Sequence, residues 1–390
     1  MATIKKILSK KPEEDENAPK KIFDASNALS LVMNDKEMKG DIYNDVIAEN
    51  RLISTGSLLV DSIVKIRSGQ VIRLVGKGAE LGKTSEGLVI GDNFMKVMDK
   101  SKGVFIKAEG RLSNEMKRRS GMKFVDKVED WTYGTVFVLS CNVFETVATT
   151  ILNIIKAAYA NGEHIWFLLD SLDGLILKAD LEKGFADNVK VAGVPLLTKL
   201  LFRKLALPIA HYDALLLVTG QFAASPKIDP YAPTSPKQGD SSGGSAIQHQ
   251  SDYVFDFHPR YVGDLILENE DEKPDRIKNK TLGLYCKVTF RKSASDVTGE
   301  SVSYPIRKGV IGPAIWRERE IIDVMLAYQM LVKGGSWFTI SEEIRAEGLE
   351  KGIEFPEKVQ GMKKVFGFLD ENKEAFDFLY EKAKSIILSE

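Results

Sequence analysis

The sequence predicts an α/β fold, a mostly parallel sheet flanked by helices and extended by antiparallel hairpins. Three observations predict it. A glycine-rich turn, Gly76-Lys-Gly-Ala-Glu-Leu-Gly-Lys-Thr-Ser85, joins an apolar, β-branched run at residues 71–75 to a helical pattern at 85–98. Apolar runs and helical segments then alternate as far as residue 219, the pattern of parallel strands with helices on both faces. Beyond Asp252 the pattern changes to short runs at 253–257, 265–267, 283–290 and 301–306, which read as hairpins.

The elements follow in order. Residues 1–21 alternate charge blocks and read as a mobile arm. A helical pattern at 22–49 carries Leu29, Leu31 and Val32, which have little core of their own to enter and are expected to pack on an adjacent protomer. A strand at 103–107 precedes a helix at 113–119, and a strand at 135–139 precedes a long helix at 143–161. The run 165–169 ends in Asp170. A helix is expected at 195–207, with Pro195 in its first turn and Pro208 as its stop. The last parallel strand covers 214–219, and residues 223–245 form a long loop without periodicity. From about Ile321 the chain reads as helical, ending in a helix at 374–388.

At 390 residues and 43.4 kDa, the chain can hold one large α/β domain with small appendages. Its 44% hydrophobic and 28% charged content suits a soluble globular protein. The net charge of −1 excludes a global field toward nucleic acid, so any DNA contact must draw on charge concentrated in loops or a groove. Cys141 and Cys286 are the only cysteines, both in apolar β-like segments, which suits buried thiols in a reducing compartment. The N-terminus has no apolar signal core, and no apolar run approaches the ~20 residues of a membrane span. A cytoplasmic location is expected.

The glycine turn has the context of a phosphate-binding loop: strand before, helix after. Successive N–H groups and a helix N-terminus surround an anion there. Lys83 would supply a fixed cation to the outer phosphates, and Thr84 a hydroxyl for Mg²⁺. Gly76, Lys77, Gly78, Ala79, Glu80, Leu81, Gly82, Lys83, Thr84 and Ser85 are therefore assigned to nucleotide binding. Lys77 stands where the usual G-x-x-x-x-G-K-[ST] spacing has its first glycine, so a one-residue bulge is expected. Asp170, followed by Ser171, stands where a carboxylate holds the Mg²⁺ shell, with a helix N-cap as the alternative. Glu109 ends another strand and could polarise an attacking water, or be a surface-turn residue. Gln221 follows Gly220 where an amide can reach a γ-phosphate, or be a solvated loop amide. Their strength lies in the set.

That set resembles the RecA family of homologous-recombination ATPases. Ile53-Ser-Thr-Gly-Ser-Leu58, Phe105-Ile-Lys-Ala-Glu109, Leu169-Asp-Ser-Leu172, Gly220-Gln221, Gly243-Gly-Ser-Ala246 and Val332-Lys-Gly-Gly-Ser-Trp-Phe338 are similar to family segments in collinear order, over roughly residues 25–388. The resemblance implies a RecA-like P-loop NTPase core at 51–315, preceded by an N-terminal arm and protomer-packing helix at 1–50. A small C-terminal α/β domain follows at 316–390. It implies ATP and Mg²⁺ as cofactors, single- and double-stranded DNA as partners, and a helical homo-oligomer. Single-strand-binding and loader proteins are further partners of such an assembly. Sequence divergence, the insertion pattern and the charged arm point to a bacteriophage type, like UvsX. Met116 stands where the family has an aromatic against adenine, Ser113 where it has an acidic contact, and His249 where an aromatic follows Gly-Gly-x-Ala. The lysines that reach a neighbour's γ-phosphate fall near Lys287, Arg291 and Lys292.

DNA contact is expected from two loops. The first, residues 178–193, carries Lys178, Lys183, Phe185 and Lys190; the second, 223–245, carries Lys227, Tyr231, Lys237, Gly243 and Gly244. Cations beside an aromatic suit backbone neutralisation with base contact on single strands. Two alternatives stay open: a RecA-fold hexameric helicase, and a nucleotide-regulated filament accessory protein on single-stranded DNA with weak turnover.

Overall fold

The computed structural model describes residues 25–35, 48–78, 81–109, 112–182, 193–221, 250–269, 272–275, 277–309 and 314–389. The chain divides into two units, Met1–Val46 and Ile47–Glu390. The first contributes helix α1 (Ala25–Asn34), in which Leu29, Leu31 and Val32 are exposed.

The second unit is built on a ten-stranded sheet. Its strands are β1 (Val71–Gly76), β2 (Ser101–Lys107), β3 (Lys123–Val125), β4 (Thr135–Ser140), β5 (His164–Asp170), β6 (Leu215–Gln221), β7 (Tyr253–Phe257), β8 (Leu265–Leu267), β9 (Thr281–Lys292) and β10 (Ser301–Arg307). Their spatial order is β10-β9-β7-β1-β6-β5-β2-β4-β3, with β8 paired to β9. From β7 to β3 every pairing is parallel; β9 pairs antiparallel with β7, β8 and β10.

The parallel strands are apolar because both faces are covered. All of β1 is buried, and residues 165–169 of β5 are at most 2% exposed. Each fully buried Val, Leu, Ile or Phe among them contributes roughly 1.5–3 kcal/mol by leaving water. The helices are α2 (Leu58–Ile63), α3 (Lys83–Val97), α4 (Asn114–Ser120), α5 (Phe144–Ala160), α6 (Lys178–Leu181), α7 (Gly193–His211), α8 (Arg317–Ala327), α9 (Glu342–Glu350), α10 (Met362–Glu371) and α11 (Lys373–Ser389). Leu88, Ile90 and Phe94 of α3 join the core on one side of the sheet. Ile151 and Ile155 of α5, with Phe202 and Ile209 of α7, join the core on the other. Antiparallel strands β11 (Leu331–Gly334), β12 (Trp337–Ile340) and β13 (Lys358–Gln360) form a second sheet beside α8 to α11, over a core of Trp316, Phe338, Phe355, Phe366 and Phe378.

Four expectations need correction. Pro208 does not stop α7, which runs on to His211. The lost hydrogen bond costs about 3 kcal/mol, offset by burial of Leu205 and Ile209 on either side of the proline, both at most 1% exposed. Residues 253–257 are not half of a simple hairpin: all five are buried, in a strand antiparallel to β9 on one side and parallel to β1 on the other. The region after Ile321 is not helical throughout, because strands of three or four residues are too short to show a period. Cys286 is buried, but Cys141 is only half-buried, lying just beyond β4.

Candidate functional site

The carboxyl ends of β1, β5 and β6 and the residues after β2 open into one cleft of about 810 Å³. This is the edge where parallel α/β sheets bind ligands. Gly82 turns the loop into α3 with φ +106°, a left-handed conformation that a side chain would strain. The N–H groups of Lys83, Thr84 and Ser85 then lie in the first turn of α3, at its positive end. Lys83 Nζ folds back over the loop and donates to the Gly78 carbonyl at 3.0 Å.

Two hydroxyls hold Asp170. Thr84 Oγ1 donates to Asp170 Oδ2 at 3.0 Å, and Thr219 Oγ1 donates to Asp170 Oδ1 at 2.6 Å. Ser171 Oγ donates to Glu109 Oε1, and the Gln221 N–H donates to Asp173 Oδ2 at 2.7 Å. The far wall brings Arg260, Arg307 and Lys308 to the cleft, and Arg119 lines it while donating to the Arg307 carbonyl at 3.3 Å. At the other end, a cavity of about 120 Å³ continues past Ser85, Met116 and Arg119 between α3 and α4. Leu88, Val89 and Ala314 give it apolar walls.

The loop is braced from beneath. The Cys286 thiol donates to the Leu81 carbonyl at 3.3 Å, and the Tyr304 hydroxyl donates to Glu86 Oε2 at 2.9 Å. Burial pushes the Glu86 carboxyl up to about 8 and the Cys286 thiol up to about 12. Burial thus favours the neutral form of Glu86, which weakens negative charge under the loop.

The donor set suits a hard cation. A hydroxyl and a carboxylate, Thr84 and Asp170, lie together, while the described residues hold no group of three or more His, Cys, Asp or Glu that could cage a metal. That is the arrangement for Mg²⁺, which takes one or two protein oxygens and completes its shell with phosphate and water.

The structure therefore brings together Gly78, Leu81, Gly82, Lys83, Thr84, Ser85, Glu109, Met116, Asp170 and Gln221. Gly76 is buried at the end of β1, and Lys77 is exposed away from the cleft lining. Ala79 and Glu80, and with them the expected bulge, lie outside the described residues. So do Lys183, Phe185, Lys190, Lys227, Tyr231, Lys237, Gly243, Gly244 and His249. Lys178 opens α6, its N–H donating to Glu145 Oε2 at 2.9 Å. Lys287 is exposed on β9. Arg291 pairs with Asp256, Nε to Oδ2 2.6 Å, and Lys292 Nζ donates to the Ser251 carbonyl. None of these three lines the chain's own cleft.

Sequence reasoning missed Thr219, Asp173, Arg260, Arg307 and Lys308. Thr219 left a signal, a polar residue at the end of an apolar strand just before Gly220-Gln221. Arg307 and Lys308 left none, since only the β9–β10 pairing returns them to the cleft.

No family model matches the chain. Among curated proteins it is similar to the protein RecA of Bordetella avium, 23% identical over 361 residues that cover 89% of this chain and 91% of that one. The protein RecA of Delftia acidovorans is 22% identical over 326 residues, 82% of this chain and 77% of that one. The protein RecA of Leptospira meyeri is 22% identical over 310 residues, 78% and 70%. These similarities run along most of the chain and support a distant relationship to the RecA family.

Proposed function

We propose that this chain is an ATP-dependent DNA recombinase that forms helical filaments on single-stranded DNA and catalyses homologous pairing and strand exchange. The observation that carries the reading is the meeting of Lys83, Thr84, Glu109, Asp170 and Gln221 in one cleft. The collinear similarity to RecA proteins supports it.

In this reading the N–H groups of residues 83–85 and the Lys83 ammonium hold the β- and γ-phosphates of ATP. Thr84 and Asp170 hold Mg²⁺, which when bound neutralises phosphate charge. Glu109, oriented by Ser171, aligns a water and accepts its proton as it attacks the γ-phosphorus, while the bond to the β–γ bridging oxygen breaks and ADP leaves. Gln221 reads the γ-phosphate and begins the segment that carries Lys227 and Lys237. Lys287, Arg291 and Lys292 serve the neighbouring protomer's nucleotide. The exposed Leu29, Leu31 and Val32 of α1 pack on that neighbour. Single-strand-binding and loader proteins act on the same filament. Among the described residues no helix is long and apolar enough to cross a membrane. Assignment to a bacteriophage UvsX-like type rests on sequence divergence, the insertion pattern and the charged arm.

The test is ATP hydrolysis with and without single-stranded DNA, followed by negative-stain microscopy with DNA and a non-hydrolysable ATP analogue. Stimulated hydrolysis and helical filaments are expected. Rings would favour a hexameric helicase, and DNA binding without turnover a filament accessory protein.

A further inference from the structure

Directly after Asp170 the chain makes one tight turn, Leu172–Gly174, and the residues of this turn touch both reacting ends of the site. Ser171, which leads into it, donates its hydroxyl to Glu109. Gly174 closes in behind Glu109: a Cβ there would stand 2.5 Å from Glu109 Cγ and 3.1 Å from the Ala108 carbonyl. Between them, Asp173 reaches the next strand and accepts the Gln221 N–H at 2.7 Å. Arg73 of β1 is fully buried. Burial lowers its guanidinium to about 10, and the opposing influence is the Asp173 charge.

We propose, on the functional reading above, that this turn links the carboxylate that orients water to the amide that reads the γ-phosphate, with Asp173 as the positioning residue. The Gln221 N–H belongs to the last residue of β6. Its bond to a carboxylate is charge-assisted, roughly twice as strong as one between neutral groups. When a phosphate oxygen draws the Gln221 side chain, the main chain of the same residue moves relative to Asp173. Either the turn follows, carrying Ser171 and Glu109 with it, or the bond breaks. In both cases a change at one site is opposed or passed on through this bond, so the two sites are coupled, and for binding the coupling is equal in both directions. Arg73 lies on β1, the strand that feeds the phosphate loop, where it pairs in register with Val218 of β6. Asp173 itself does not line the cleft, so its effect passes through Gln221 and Glu109.

Asp173 is exposed, so truncating it leaves the core intact. The experiment compares full-length wild type, Asp173→Ala and Asp173→Asn. Affinity for a labelled single-stranded oligonucleotide is measured by anisotropy with a non-hydrolysable ATP analogue and with ADP. kcat and KM for ATP are measured at saturating DNA, and melting temperature is recorded. Asp173→Ala should cut the ATP-over-ADP affinity ratio at least about fivefold and lower kcat, with KM shifting less than about twofold and melting preserved. Asp173→Asn keeps an acceptor oxygen for the Gln221 N–H and should retain most of the ratio. A wild-type ratio in Asp173→Ala, or equal losses in Ala and Asn, would overturn the link. A wild-type chain with neither DNA-stimulated hydrolysis nor any ratio overturns the functional reading, and this proposal with it.

Discussion

At the end of the cleft proposed to hold phosphate, Asp170 is fixed by hydroxyls from β6 and α3, Glu109 by Ser171, and the end of β6 by Asp173. At the base end, Met116 sits on α4, a seven-residue helix without a buried residue, held by the Ser113 cap and Gly121. One end is cross-braced between elements far apart in sequence. The other is a local turn of helix carrying a flexible thioether. On the proposed reading, the difference teaches where the chain invests its rigidity: in placing phosphate, cation and water, with the base merely covered.

The largest effect should come from removing the phosphate end's cation. Lys83→Ala should lower nucleotide affinity or turnover at least about 100-fold with the circular dichroism spectrum unchanged, as a fluorescent-nucleotide titration would register. Wild-type hydrolysis in that variant would mean the loop is not a phosphate site.

The next effect separates two carboxylates of the same end. Glu109→Gln should bind ATP and assemble on DNA while kcat falls about 10²–10⁴-fold, the range for a lost general base. Asp170→Asn should instead weaken Mg²⁺-dependent binding as well as turnover. Steady-state kinetics across Mg²⁺ concentrations distinguishes them, and unchanged hydrolysis by Glu109→Gln removes that residue from the mechanism.

A third effect comes from behind the base end, whose Ala314 and Arg317 lead into α8. Glu320 of α8 is buried and accepts from Ser57 Oγ, from the Leu58 N–H at 3.0 Å and from the Leu59 N–H at 3.3 Å. Burial outweighs these bonds and raises its carboxyl from 4.5 to about 7. The folded state thus holds a proton that the unfolded chain has released. Glu320's contribution is complete below 4.5 and is lost as pH rises through about 7. Glu86 has the same sign. Stability should fall between about pH 5 and 8 by on the order of 1–3 kcal/mol for Glu320. Melting curves of Glu320→Gln should show a shallower slope; an unchanged slope would exclude Glu320 as a source.

The smallest effect tests the looseness itself. Met116→Tyr adds a rigid ring beside the base and should tighten nucleotide binding several-fold, about 0.5–1.5 kcal/mol. No gain in isothermal titration would show that the base end is already specified by its other walls.

Much of this was legible in the chain. Strands β1, β5 and β6 announce themselves as largely apolar runs ended by glycine, aspartate and glutamine, because a strand buried on both faces favours apolar side chains, buried Arg73 of β1 being an exception. The same rule hid the direction of residues 253–257, since a buried strand reads alike whether its neighbour is parallel or antiparallel. Pro208 misled because local propensity was outweighed by the packing of Ile209. Asp170 was recognisable from its place in the chain. Its partner Thr219, 49 residues away, depends on β5 and β6 lying side by side. The Asp173 contact depends on the same pairing, 48 residues apart, and no periodicity records it.

The central claim is that the nucleotide in this cleft governs DNA binding. The direct measurement is the affinity of the wild-type chain for a labelled single-stranded oligonucleotide, with a non-hydrolysable ATP analogue and with ADP, at one salt concentration. A coupling of ~1–3 kcal/mol corresponds to roughly 5–150-fold tighter binding in the ATP state. Gln221→Ala should erase that ratio while keeping most nucleotide affinity. Equal DNA affinity in the two nucleotide states of the wild-type chain would contradict the account.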